Sequence, residues 1–233
     1  TFTGASRNSH STLKANKIMA SQTSSALTER LIAELAPVRP LQKREGLMMV
    51  VAATLLCIAI TVPIFGLRPD LLALRPDESV LLRSGALLLI GSASAIAVSA
   101  SASPSIGARR EGWRWALAAG LLFPATSIAL MLGGAPFPGS VLVASSAPTC
   151  LGVSLSSALL IGAVLTLWLR RGAVTELARA GWLTGLAAGA LGAFTYNLGC
   201  PSNSVHYAAL WFGLAVGVAA LAGRVIVPAL LRW

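Results

Sequence analysis

From position 47 onward the chain alternates apolar runs, each about long enough to cross a bilayer, with short polar gaps. Six such runs are read, at Leu47–Leu67, Val80–Ser103, Trp113–Leu132, Thr149–Leu169, Ala178–Leu198 and Val205–Val227. At about 1.5 Å of rise per residue, a helix of this length covers about 30 Å of hydrocarbon. Backbone groups in lipid have no water to bond, so every run is expected to be an α-helix. The expected fold class is an all-α integral membrane protein, with six transmembrane helices in a compact bundle comprising residues 47–233. The pattern upstream is different. Residues 1–18 are rich in Ser, Asn and Thr without an apolar period, which predicts a disordered leader, and Met19 is an alternative start. In residues 26–36, Leu27, Leu31 and Leu35 share one helical face, with Ile32 beside it and Ser24 or Ser25 available as the cap. Pro37 and Pro40 end that helix, and Lys43–Arg44 stop the segment at the membrane. Residues 19–46 are therefore expected to carry one short amphipathic helix, either docking into a partner's groove or lying on the bilayer.

Composition supports lipid as the solvent. Of 233 residues 55% are apolar and 11% charged, against about 25% charged in soluble domains. The net charge of +10 raises the question of nucleic acid, and its placement answers it. Fifteen of the eighteen Lys and Arg fall in the N-terminal segment, the two even-numbered loops and the C-terminus, all but Arg68, Arg75 and Arg83. By the positive-inside rule both termini are expected in the cytoplasm of a bacterial inner membrane, with no direct contact to nucleic acid. The first run is not a signal peptide, because 46 residues precede it and it is longer than such an apolar region.

Ionisable groups are nearly absent from the runs, which argues against a proton- or sodium-driven transporter. Arg83 and Arg224 lie close to run ends and are expected to reach headgroups, while Pro63 and Pro124 are expected to kink runs one and three. With His10 and His206 as the only histidines, no Ser/His/Asp set, phosphate loop or zinc-type cluster can be assembled, and an enzyme is not expected. Gly181, Gly185, Gly189 and Gly192, repeated by Gly213 and Gly217, form small faces that let helices approach, within the bundle or as the seam of a homodimer. Cys57 lies mid-run and reads as a packing residue. Cys150 heads the fourth run and Cys200 lies in the last outer loop, so the two share the oxidising side of the membrane. They suit a structural disulfide, a reactive thiol pair, or a transient heavy-metal site with His206 as third ligand. Without a C-x-x-C the chain does not read as a quinone-coupled thiol oxidase. A small-solute transporter or channel with a neutral outer vestibule is the alternative function.

Several segments in order resemble a bacterial family: LIAELAPVRPL (31–41), GLRPDL (66–71), Cys150, LRRGA (169–173), GLAAGALGAFTYNLGCP (185–201), LWFGL (210–214) and LLRW (230–233). Together they resemble the negative regulators of sigma-F (NrsF-type), six-span inner-membrane anti-sigma factors. The resemblance implies that the cytoplasmic segment binds an extracytoplasmic-function sigma factor, with Leu27, Leu31, Ile32 and Leu35 as contacts and Arg30 and Arg39 facing acidic groups. It also implies that Cys150 and Cys200 sense metal or oxidative stress while Cys57 does not. The place just before the second cysteine, often histidine in such proteins, is Gly199 here.

Overall fold

The computed structural model describes residues 29, 42–75, 77–101, 132, 146–172, 174, 176–202 and 204–231. The run at Trp113–Leu132 apart from Leu132 itself, with Pro124, and the amphipathic face of Leu27, Arg30, Leu31, Ile32, Leu35 and Arg39 lie outside them. The chain divides into two units, Thr1–Pro40 and Leu41–Trp233, and the elements below belong to the second. They are α1 (Lys43–Phe65), α2 (Pro69–Leu72), α3 (Glu78–Ser101), α4 (Ala147–Leu169), α5 (Leu177–Asn197) and α6 (Val205–Leu231), with no strand among the described residues.

Four of these helices, α1, α3, α4 and α6, are long and apolar enough to cross a membrane. Their outward faces keep large apolar side chains such as Met48, Leu55, Leu82, Leu89, Leu159 and Val225 exposed, an arrangement suited to lipid rather than water. The fifth, α5, is rich in Gly and Ala and is buried at every position from Leu183 to Ala193. It is the central post against which α3, α4 and α6 pack.

Close approach to this post depends on small residues. A Cβ at Gly181 would lie 2.6 Å from the Gly223 carbonyl oxygen. One at Gly185 would collide with the backbone of Ala219 and Ala220, and one at Gly192 would meet the Ser154 carbonyl of α4 at 2.5 Å. The small face expected on the last helix is displaced: Gly213 and Gly217 have open space where a Cβ would go, and Gly223 meets the stripe instead. A π-helical turn at Ala208–Phe212 accounts for part of this, because its extra residue rotates everything after it relative to a regular helix.

Pro63 lies in the last turn of α1, and Pro228 occupies the corresponding region of α6. Gly66 closes α1 at φ +80, a left-handed backbone that glycine adopts without a Cβ clash, and its N–H donates to Val62 O at 2.9 Å. The sharp turn this makes carries the chain directly into the site.

Candidate functional site

The C-terminal ends of α1 and α5 and the N-terminal ends of α3, α4 and α6 meet at one end of the bundle, joined by hydrogen bonds between elements distant in sequence. After Gly66 the Arg68 N–H donates to Leu198 O at 3.1 Å. Two arginine side chains then converge on the connection between α5 and α6. Arg68 Nη1 donates to Cys200 O at 2.6 Å and to Ser202 O at 3.4 Å, and its Nη2 pairs with Asp70 at 2.8 Å. Arg83, from the second turn of α3, donates through Nη1 to the same Ser202 O at 3.1 Å and lies over the Phe212 ring, 5.4 Å from its centroid. Nearby, Asn197 Nδ2 donates to Ser84 Oγ at 2.7 Å, tying α5 to α3.

Both arginines are buried, Arg68 at 4% exposure and Arg83 at 6%. The expectation that Arg83 reaches headgroups is therefore corrected: its guanidinium turns inward because the Ser202 carbonyl and the Phe212 ring together offer it a partner inside the bundle. Arg224 differs, since it is exposed and lies 5.8 Å over Trp182.

Cys150 and Cys200, fifty positions apart in the chain, lie in one buried cluster with Tyr196, Tyr207 and Phe212, and each is fully buried. Cys57, Cys150 and Cys200 are all free thiols. Cys150 occupies the first turn of α4, its N–H bonded to Ser146 O at 2.9 Å. Ser146 Oγ donates to the Tyr207 hydroxyl at 3.2 Å, and Tyr207 in turn interacts with Cys150. Ser204 caps the last helix by accepting from the Tyr207 N–H at 3.3 Å. The charged and polar neighbours with which Cys150 interacts include Cys200, Tyr207 and Arg83. Cys57 packs in a separate part of the core, its Sγ 4.0 Å from Ser157 O.

Among the described residues no group of three or more His, Cys, Asp or Glu could hold a metal ion. The triad of Cys150, Cys200 and His206 is thus not assembled as a ligand set. His206 and Tyr207 are adjacent on one helix, so their side chains diverge by about 100°, and Tyr207 is the one turned into the buried cluster. Gly199 faces the Gly66 carbonyl oxygen, 2.7 Å from where a Cβ would be, which leaves no room there for a side chain.

The sequence reading located the two sulfurs but missed Arg68, Arg83 and Tyr207 as their setting. The GLRPDL segment had the pertinent signal: an Arg-Pro-Asp sequence that starts a short helix brings the guanidinium back to its own carboxylate.

Comparison with curated proteins and with solved structures found no match. The family model described as negative regulator of sigma F matches residues 31–233, the whole thiol cluster and both arginines included. The chain belongs to the NrsF family.

Proposed function

We propose that this protein is a membrane-bound anti-sigma factor of the bacterial inner membrane that releases an extracytoplasmic-function sigma factor when its Cys150/Cys200 pair is modified. The chain crosses the bilayer six times with both termini in the cytoplasm, as the distribution of Lys and Arg favours. Residues 19–46 hold the sigma factor through Leu27, Leu31, Ile32 and Leu35, with Arg30 and Arg39 answering acidic groups. The thiol cluster then faces the periplasm.

The observation that carries this reading is the gathering of two sulfurs from distant segments into one buried, disulfide-free cluster where five helix ends meet. A covalent change there alters packing at the ends of α4, α5 and α6 at once. With a hydroperoxide as oxidant, one thiolate attacks the O–O bond to give a sulfenic acid and an alkoxide that takes up a proton. The second thiol then attacks the oxidised sulfur, an S–S bond forms, and hydroxide leaves as water, so the pair loses two electrons and two protons. A soft metal ion bridging the sulfurs would disturb the same packing. The demand on the bundle is modest, because a coupling of about 1–3 kcal/mol changes sigma affinity roughly 5–150-fold.

The test is transcription from a sigma-dependent reporter in cells carrying Cys150→Ser, Cys200→Ser or Cys57→Ser. The first two variants are expected to keep repression and lose induction by metal or oxidant, while the third responds normally. Full induction in both the Cys150 and Cys200 variants would end the thiol-sensor reading.

A further inference from the structure

Away from the thiols, α4, α5 and α6 enclose a groove of about 560 Å³, a volume in the range of small-molecule sites. Its floor is Gly185 and Ala188 of α5 with Ala219 and Gly223 of α6, all buried and none with a side chain beyond a Cβ. Its rims are Leu159 and Leu167 of α4 and Ile226 and Leu230 of α6, all exposed. The groove therefore opens outward, on the side that faces hydrocarbon in a chain whose helices cross a bilayer.

Along α4 the lining runs from Leu155 to Arg170, about 22 Å of helix, against about 15 Å of hydrocarbon in one leaflet. Three polar side chains interrupt it: Thr166, Arg170 and Thr184. Thr166 donates to Gly162 O at 2.7 Å, the ordinary bond of a helical threonine to its own preceding turn. Thr184 makes no such bond: it is 1% exposed, and its Oγ1 has no hydrogen-bond partner among the described residues. Arg170 is exposed at the end of the groove, and the ion pairs of the described residues, Arg68–Asp70 and Arg179–Glu176, leave it without a carboxylate. Gly162 lies opposite Ala188 and Ala158 opposite Gly192, so α4 and α5 run antiparallel. That register places Thr184 level with Thr166, one turn or about 6 Å along the groove from Arg170.

We propose that this groove binds an anionic glycerophospholipid, with one acyl chain along the Gly/Ala floor, its ester carbonyl accepting from the Thr184 hydroxyl and its phosphate against the Arg170 guanidinium. In such a lipid five bonds separate the phosphorus from the acyl carbonyl carbon, about 6 Å when extended, the same step that separates Arg170 from Thr184. A guanidinium fork matches phosphate oxygens in geometry as well as charge. The volume favours a hydrocarbon chain over a helix of a second copy. A chain about 5 Å wide occupies about 400 Å³ over 22 Å, whereas a helix about 10 Å across occupies about 1,700 Å³. From the anti-sigma reading the proposal takes only the leaflet, the cytoplasmic one by the placement of Lys and Arg; the site itself stands on the groove and its two polar groups.

The experiment places the full chain in phosphatidylcholine nanodiscs with an increasing fraction of a phosphatidylglycerol that carries a diazirine on one acyl chain. After irradiation the labelled peptides are quantified by mass spectrometry. Labelling around Ala188 of α5 and Ala222 of α6, both in the groove, is expected to saturate at a low fraction of probe. Labelling around Leu89, exposed on the outward face of α3, should instead rise in proportion to it. Arg170→Gln is expected to weaken the apparent affinity of the groove for the probe by at least about fivefold, the scale of one basic residue at an anionic surface. Arg170→Lys, which keeps the charge but not the fork, is expected to stay within about threefold of the parent protein. Thr184→Val should weaken this probe and a phosphatidylcholine analogue by the same factor, about threefold, because the ester is common to both. Ala222→Phe fills the groove and is expected to abolish saturable labelling; if it does not fold, Arg170→Gln, at an exposed position, decides alone. Groove labelling that stays proportional to probe, or that is unchanged in Arg170→Gln, overturns the proposal. So does a dimer in native mass spectrometry that Ala222→Phe dissociates, since a second copy is then the occupant. Normal induction in the cysteine variants alongside Arg170-dependent labelling would sink the sensor reading and leave the lipid site standing. Lost induction alongside proportional labelling would do the reverse.

Discussion

At Gly199 a single hydrogen separates a packed turn from a collision. The Cβ of any larger residue would lie 2.7 Å from the Gly66 carbonyl oxygen, and that carbonyl belongs to a turn whose own residue has positive φ, so neither side gives way easily. Gly199→Ala is expected to cost about 1–3 kcal/mol and lower the midpoint of thermal unfolding in detergent, with Gly199→His worse. The neighbouring Arg68 N–H to Leu198 O bond would be stretched first, since it joins the same two turns. What the sequence disclosed at this scale was uneven. Cys150 and Cys200 were legible as a pair because their places relative to the apolar runs put both at the same end of the expected helices, and the structure gathers them in one cluster. Arg83 was not: the helix that carries it has no single apolar face, so its position near a run end gave depth but not the direction in which its side chain points. Only the fold brings the Ser202 carbonyl and the Phe212 ring to it.

Among the elements, α5 is the one whose composition decides the packing. Rich in Gly and Ala, it is not among the four helices suited by length and hydropathy to cross a membrane. Its small residues let α6 and α4 approach it backbone to backbone. Gly185→Val is therefore expected to destabilise the bundle by several kcal/mol or to prevent folding, because its Cβ would meet main-chain atoms of Ala219 and Ala220 that cannot rotate away. Gly217→Val is the matched control: a Cβ there meets nothing, and the expected change is within about 0.5 kcal/mol. Yield of monodisperse protein and thermal unfolding in detergent measure both. The stripe Gly181, Gly185, Gly189 and Gly192 could be read from spacing alone, since it follows the period of a regular helix. Its counterpart could not, because the π-helical turn at Ala208–Phe212 breaks that period and brings Gly223, rather than Gly213 or Gly217, into register.

For the whole molecule, the proposed mechanism requires two separable parts: a segment that holds the sigma factor and a bundle that reports the state of its thiols. The division of the chain between Pro40 and Leu41 supports this separation, because a truncation ending there takes nothing from the unit that contains the cysteines and both arginines. Deleting residues 19–40 is therefore expected to leave the bundle folded, with the thiol reactivity of Cys150, Cys200 and Cys57 unchanged, while the sigma factor is freed. Transcription from the sigma-dependent reporter should be constitutive, exceeding the resting level by at least the roughly 5–150-fold range that a coupling of about 1–3 kcal/mol provides, because the truncation removes the binding energy rather than modulating it. Co-purification of sigma with membranes measures the same loss directly, and unchanged alkylation rates in those membranes show that the bundle survived. If sigma is still retained after the deletion, the binding surface belongs instead to the basic loops around Arg109–Arg114 or Arg170–Arg179, whose charge would then serve a partner as well as topology. Combining the deletion with Cys150→Ser distinguishes the two arrangements. When the segment is the only contact, the double variant is as derepressed as the deletion alone and no stimulus changes it. When the loops also hold sigma, some repression persists and Cys150 still determines whether it is relieved.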